Sequence, residues 1–174
     1  MVSLFEKDLG IRIIGLYLDN YLDLFSINEI ASRLGKKYPY VHKRVMELIQ
    51  EQYLNSITVG RSTMCSLNLD NPFVRYILGY FHLKRADYFE VDMTGVDFVV
   101  ARGKEKVEHI YVVGKGKSKD HITYLTEQQF KDELKDGLMH RHIVLKGYER
   151  FFEFIRKNKG ELAMQFNPLM GQLQ

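Results

Sequence analysis

The chain has 174 residues, of which 45% are hydrophobic and only 3 are prolines, and its 25 Lys and Arg nearly balance 22 Asp and Glu to leave a net charge of +3. This composition excludes disordered and fibrous classes and suffices to bury one good core or two small ones. Near-balanced charge means that an electrostatic partner must be met by a local patch, and the single Cys65 excludes an intramolecular disulfide or a zinc site built on several thiolates.

Cys65 therefore reads as a small buried apolar residue in a reducing compartment. The opening "MVSLFEKDLGIRIIGLYLDN" places acids and bases among its apolar residues and never reaches the roughly 18 uninterrupted apolar positions of a membrane span. A cytoplasmic protein is expected. Leu9, Ile13, Leu16 and Tyr17 recur at helical spacing and predict an amphipathic helix over Leu4 to Tyr21. In "SINEIASRLG", Ser26 and Glu29 have capping-box spacing and Gly35 suits a helix end, which predicts a short second helix.

Pro39 fits the first turn of a third helix, whose apolar stripe is Val41, Val45, Leu48 and Ile49. At about 100° per residue, Lys43 points away from that stripe, with His42 and Arg44 on its flanks and Tyr40 to one side. The runs "YLNSITV" and "STMCSLNL", joined by Gly60 and Arg61, read as a tight hairpin with a basic tip.

Three helices and a hairpin in this order resemble a winged helix-turn-helix domain, over about Leu4 to Leu69. The resemblance implies a third helix that enters the major groove of double-stranded DNA by its amino-terminal end, and a hairpin wing that touches the backbone or minor groove. Matched residue by residue, Lys36, Lys37, Tyr38, Tyr40, His42, Lys43 and Arg44 fall at or near the reading end, and Arg61 and Ser62 fall on the wing. The stretch "GKKYPYVHKRV" suits that role, because DNA calls for cations and hydrogen-bond donors and repels carboxylates, and no acid lies between Glu29 and Glu47. A wing used for protein docking, with a basic face serving solubility, is the alternative. Tyr38 falls towards the apolar side, where the core is an alternative place for it. His42 also reads as a polar flank, and Glu47 limits how far along the helix DNA would lie.

Asn71 and Pro72 then make a cap and first-turn pair for a helix bearing Phe73, Val74, Ile77, Leu78 and Phe81. Such an aromatic-rich helix after the wing is a common dimer element in winged-helix regulators, so a homodimer is expected, with packing on the chain's own second domain as the alternative.

From about Glu90 the period changes to that of strands: "VDFVVAR", "VEHIYVV" and "HITYL" are followed by a helix capped by Thr126 and Gln129, a strand "HIVL", and a helix "GYERFFEFIRK" with Tyr148, Phe151, Phe152 and Ile155 on one face. The portion "ITYLTEQQFKDELKDGLMHRHIVLKGYERFFE" resembles the carboxy-terminal part of small nucleotidyltransferase-like domains carried by some archaeal winged-helix proteins. Catalytic members have a Gly-Ser turn followed by paired aspartates, which are absent here, so the resemblance implies a non-catalytic remnant used for binding or assembly. The nearest acids, Glu90, Asp92 and Asp97, read as surface residues.

"YVVGKGKSKDH" invites a phosphate-loop reading, but that pattern requires glycine where Tyr111 stands, and Lys115, Lys117 and Lys119 read as a lysine-rich turn. His140 and His142 would share one side of a strand, without further ligands at diagnostic spacing. The tail from Asn158 to Gln174 reads as a loose end or an extra strand.

The expected architecture is α+β: a winged helix-turn-helix domain over 1–70, a linking or dimerisation helix over 71–89, and a small α+β domain over 90–174 for dimerisation, ligand or partner binding. The expected function is transcriptional regulation by sequence-specific binding of double-stranded DNA, without catalytic activity, metal or cofactor, and with a small-molecule or protein effector on the second domain. Two alternatives are a metal-dependent nucleotidyltransferase or nuclease-like enzyme using Glu90, Asp92 and Asp97, and a protein-docking subunit of a larger complex.

Overall fold

In the computed structural model, residues 7–85, 93–103, 107–140 and 142–166 are described. Asp8 opens the helix α1 (Leu9–Gly15) by accepting the Ile11 amide on its carboxylate at 3.0 Å. The expected helix start at Leu4 lies outside the described residues, and its end falls at Gly15, short of Tyr21. Local hydrogen bonding accounts for the early stop. The amides of Leu16 and Tyr17 turn back onto the carbonyls of Ile13 and Ile14, and the Asn20 side chain accepts the Leu22 amide at 3.0 Å while donating to Asp23 at 2.8 Å. Tyr17, Leu18, Tyr21 and Leu22 are nonetheless buried, so an irregular segment carries an apolar pattern that imitates a continuing helix.

A short strand β1 (Phe25–Ser26) leads into α2 (Ile27–Leu34), where Ser26 and Glu29 form the reciprocal capping box. Gly35 ends α2 at φ 61°, a left-handed conformation that glycine adopts without a Cβ penalty. The turn over 35–37 delivers the chain into α3 (Tyr38–Gln50), with Pro39 in its first turn. Strands β2 (Leu54–Val59) and β3 (Ser62–Leu67) pair as an antiparallel hairpin about Gly60 and Arg61, and β1 adds to the other side of β3. Gly60, at φ 61°, supplies the positive φ that this two-residue connection uses. Ile13, Ile30, Val41, Val45, Leu54 and Cys65 form the buried centre. Tyr17 donates its hydroxyl to the Cys65 carbonyl at 2.9 Å, tying the segment after α1 to the middle strand. Next comes α4 (Pro72–Arg85), opened by Asn71 accepting the Phe73 amide at 2.9 Å.

The second sheet contains β4 (Val96–Arg102), β5 (His109–Gly114), β6 (Ile122–Leu125) and β7 (His142–Lys146), in the order β6-β5-β4-β7. Only β5 and β6 among these neighbours run parallel. One face carries the cluster of Val99, Ala101, Ile110, Val112 and Ile143. On the other, Phe98 meets Phe130 of α5 (Glu127–Lys135) and Phe151 and Phe154 of α6 (Tyr148–Phe166), with ring centroids 5.1, 5.5 and 5.6 Å away. Thr126 and Gln129 form the expected capping box of α5.

Two expectations change in this half, and the lysine-rich turn is as expected. His140 ends a 3-10 turn (Leu138–His140) and is exposed, whereas His142 is buried on β7, so the two do not share a strand face. The segment after Asn158 continues α6 to Phe166 in place of a loose end or strand, and 167–174 lie outside the described residues. The Gly-Lys run is a short return between parallel strands: Lys119 and Ile122 exchange backbone hydrogen bonds at 2.8 and 2.6 Å, and β6, not a helix, follows Ser118. A Cβ on Gly116 would fall within the ring of Tyr124, which explains a small residue there.

By their contacts, residues 7–78 with 160–166 form one unit and 79–159 form the other, so the divisions fall inside α4 and α6.

Candidate nucleic-acid interface

The amino-terminal end of α3 is built from local rules. Gly35 closes α2 by directing its own amide to Ser32 and the Lys36 amide to Ala31, at 3.0 Å each, which leaves Lys36 and Lys37 outside both helices. Lys37 holds the N-cap position without a side-chain cap bond. Pro39, lacking an N–H, costs nothing in the first turn. Val41, Val45 and Leu48 are buried, so the periodicity of the helix turns its remaining sides outward.

Lys36, Lys37, Tyr38, Tyr40, His42 and Lys43 are all exposed. Tyr38, for which the core was an alternative, is 44% exposed, and Tyr40 is 62% exposed. The Tyr38 and His42 rings lie against each other, centroids 5.5 Å apart, as their spacing of one helical turn allows. Arg61 and Ser62 are exposed at the hairpin tip.

Arg44 is placed differently. Its guanidinium donates to Glu47 at 3.0 Å and lies 3.7 Å from Asp8, with its side chain 29% exposed. Partial burial acts to lower its pKa, but the Glu47 bond and the charges of Asp8, Glu51 and Glu47 outweigh that and raise it overall. Arg44 is thus held between two carboxylates, by one hydrogen bond to Glu47 and a longer ion pair with Asp8.

The acids bracketing the cationic run are both engaged. Glu29 accepts the Ser26 amide at 2.7 Å and its hydroxyl at 2.8 Å, bonds that hold the carboxyl below its usual pKa. Glu47 is the partner of Arg44. Between them the charged side chains are Arg33, Lys36, Lys37, Lys43 and Arg44, with Arg33 set over the Phe25 ring at 4.2 Å. A surface with exposed lysines at its leading end, its nearby carboxylates paired with Arg44 or Ser26, and aromatic rings and hydroxyls beside it can attract a polyanion and contact flat, partly apolar groups.

Met46, absent from the expected site residues, belongs to this surface at 45% exposure. Its spacing from Tyr38 and His42 places the three along one edge of α3, a relation legible in the sequence once the stripe of Val41, Val45 and Leu48 fixes the buried side.

Of the acids considered as metal ligands, Glu90 and Asp92 lie outside the described residues, and Asp97 is paired with Arg150. Among the described residues, no three His, Cys, Asp or Glu side chains gather as a metal site, and no helix is long and apolar enough to cross a membrane.

No protein-family model matches this sequence. Nor does any curated protein match it. Among solved structures, reduced HlyU from Vibrio cholerae N16961 is similar over 46% of this chain and 79% of its own, with 18% identity and a TM-score of 0.39.

Proposed function

We propose that this chain is a transcriptional regulator that binds double-stranded DNA sequence-specifically through a winged helix-turn-helix unit. On this reading α3 is the reading helix and the β2–β3 hairpin the wing, with Lys36, Lys37, Tyr38, Tyr40, His42, Lys43, Arg61 and Ser62 at the DNA and Arg44 at the edge of the footprint. The observation that carries it is the unbroken cationic run between two carboxylates that are themselves tied, Glu29 by Ser26 and Glu47 by Arg44. Phosphates would approach Lys36, Lys37 and Lys43 without meeting a free acid.

The regulator would act in the cytoplasm by occluding a promoter or recruiting to it. Phe73 and Tyr76, at 62% and 61% exposure on α4, support a homodimer that presents two reading helices to a two-fold site. The second unit is assigned effector binding or assembly as a non-catalytic, nucleotidyltransferase-like remnant of the archaeal type. The engagement of Asp97 by Arg150 supports the non-catalytic part of that reading.

The test is fluorescence anisotropy of labelled random duplex DNA over a salt series, comparing wild type with a Lys36→Ala, Lys37→Ala, Lys43→Ala variant. Each lost phosphate contact flattens the slope of log affinity against log salt by about 0.9. Absence of duplex binding, or an unchanged slope, would overturn the reading.

A further inference from the structure

We infer that α3 recognises thymine through its C5-methyl group in the major groove, using Met46, Tyr40 and Tyr38. This rests on the DNA-binding reading and adds what the helix reads.

Base edges in the major groove call for particular side chains: Arg or Lys for guanine, Asn or Gln for adenine, and apolar groups for the thymine methyl. The sequence of α3 contains no Asn, and its one Gln, Gln50, is its last residue, far from the cationic end. The arginine of the helix, Arg44, is turned onto Glu47 and Asp8. Lys43 remains as a cation on the outward face, whose other groups are His42, the Glu47 carboxylate tied to Arg44, and the largely apolar Tyr38, Tyr40 and Met46 at 44, 62 and 45% exposure. Tyr38, His42 and Met46 follow one edge of the helix, and Tyr40 lies beyond Lys43 on the other side, with the Arg44-bound Glu47 between them one turn along, so the two apolar edges lie either side of Lys43.

Apolar surface left in water gains most by covering other apolar groups, and on the floor of the major groove the thymine methyl is the apolar group available. The charge around it selects the occupant. With no acid between Glu29 and Glu47 and with Lys36 and Lys37 at the entrance, the surface complements a polyanion.

The experiment uses the full chain and changes only the DNA. Anisotropy titrations compare a dA·dT duplex with a dA·dU duplex, which lacks the methyl, and a dG·dC duplex with one containing 5-methylcytosine, which places a methyl at the equivalent groove position. Thymine should bind more tightly than uracil by about fourfold for each contacted methyl, and 5-methylcytosine more tightly than cytosine. Met46→Ala should narrow the thymine-to-uracil ratio, and Met46→Leu should restore it. Equal binding of the thymine and uracil duplexes would overturn this inference while leaving DNA binding intact. Failure to bind any duplex would overturn both, and a protein captured through the same side chains by a Met46-dependent contact without duplex binding would assign the surface to protein docking instead.

Discussion

The Arg44 guanidinium donates to the Glu47 carboxylate at 3.0 Å across one turn of α3, and this pair closes the cationic end of the helix. Lys43, its chain neighbour, faces solvent. Adjacent basic residues therefore have different work, and salt dependence separates them. Lys43→Ala should reduce the salt slope of duplex binding by about 0.9, whereas Arg44→Ala, at the edge of the proposed footprint, should change it by less and reduce stability by about 0.5 kcal/mol, the scale of a partly exposed ion pair. Glu47→Gln should release Arg44 towards DNA and steepen the slope. Parallel salt titrations and urea unfolding of the three variants provide the comparison.

Burial pushes the Cys65 thiol up to about 11, and the residue is inaccessible within the first sheet. Near neutral pH the native chain should therefore react with a chromogenic disulfide reagent about a thousandfold more slowly than the unfolded chain, in proportion to the fraction transiently open. With a single cysteine in the sequence, the thiol reports directly on opening of this unit. Rapid reaction under native conditions would contradict its burial.

The second unit contains a pH-sensitive core. His82 accepts the Val144 amide on Nδ1 at 3.2 Å, and its ring lies 5.3 Å from that of His142, which directs its own Nδ1–H to the Met139 carbonyl at 2.8 Å. Burial, then the neighbouring His142 and Arg85, hold the His82 pKa well below 6.5. An unfolded chain takes up this proton near 6.5 while the folded chain does not. The associated stability is thus fully present above that pH and is lost progressively as pH falls towards the folded value, by up to about 1.4 kcal/mol per pH unit. His82→Asn retains an acceptor but cannot titrate, so its unfolding free energy should fall less steeply on acidification.

Gly116 tests the nature of the lysine-rich loop. The Tyr124 ring occupies the space that a Cβ would need, so Gly116→Ala should displace that half-buried ring and cost less than a core overpacking, on the order of 0.5 kcal/mol. Lys117→Ala, on an exposed side chain, should leave thermal unfolding unchanged. A phosphate-cradling loop would instead show its main effect as lost nucleotide binding, with stability preserved.

For the proposed dimer, Phe73→Arg with Tyr76→Arg should halve the sedimenting mass and remove cooperativity on a two-fold DNA site. Both residues are exposed on the single chain, so the variant should retain the helical signal of wild type. An unchanged mass would assign assembly to another surface, or show that there is none.

What the sequence disclosed follows the range of the forces involved. Both capping boxes, at Ser26 and Thr126, and the hairpin tip at Gly60 depend on residues three or fewer positions apart, and their chemistry is visible in the letters. The end of α1 was hidden because Asn20 competes for backbone amides while the buried Tyr17 and Tyr21 preserve a helical-looking rhythm. His142 looked like a partner for His140, although its ring neighbour is His82, far away in the chain. On α3 the cationic residues were legible as a group, and the i,i+3 spacing of Arg44 and Glu47 was there to be read, but Arg44's second carboxylate, Asp8, comes from before α1 and only three-dimensional packing brings it near.

The unit that bears α3 is assembled from two stretches of chain, 7–78 and 160–166, and the buried Leu162 and Ala163 belong to the later one. During translation the earlier stretch leaves the ribosome first and must wait while residues 79–159 are made, roughly several seconds at about 5–20 residues per second. The unit begun first is therefore completed last. A nascent chain arrested before residue 160 would carry the lysines of α3 on an unfinished support, lacking the buried Leu162 and Ala163.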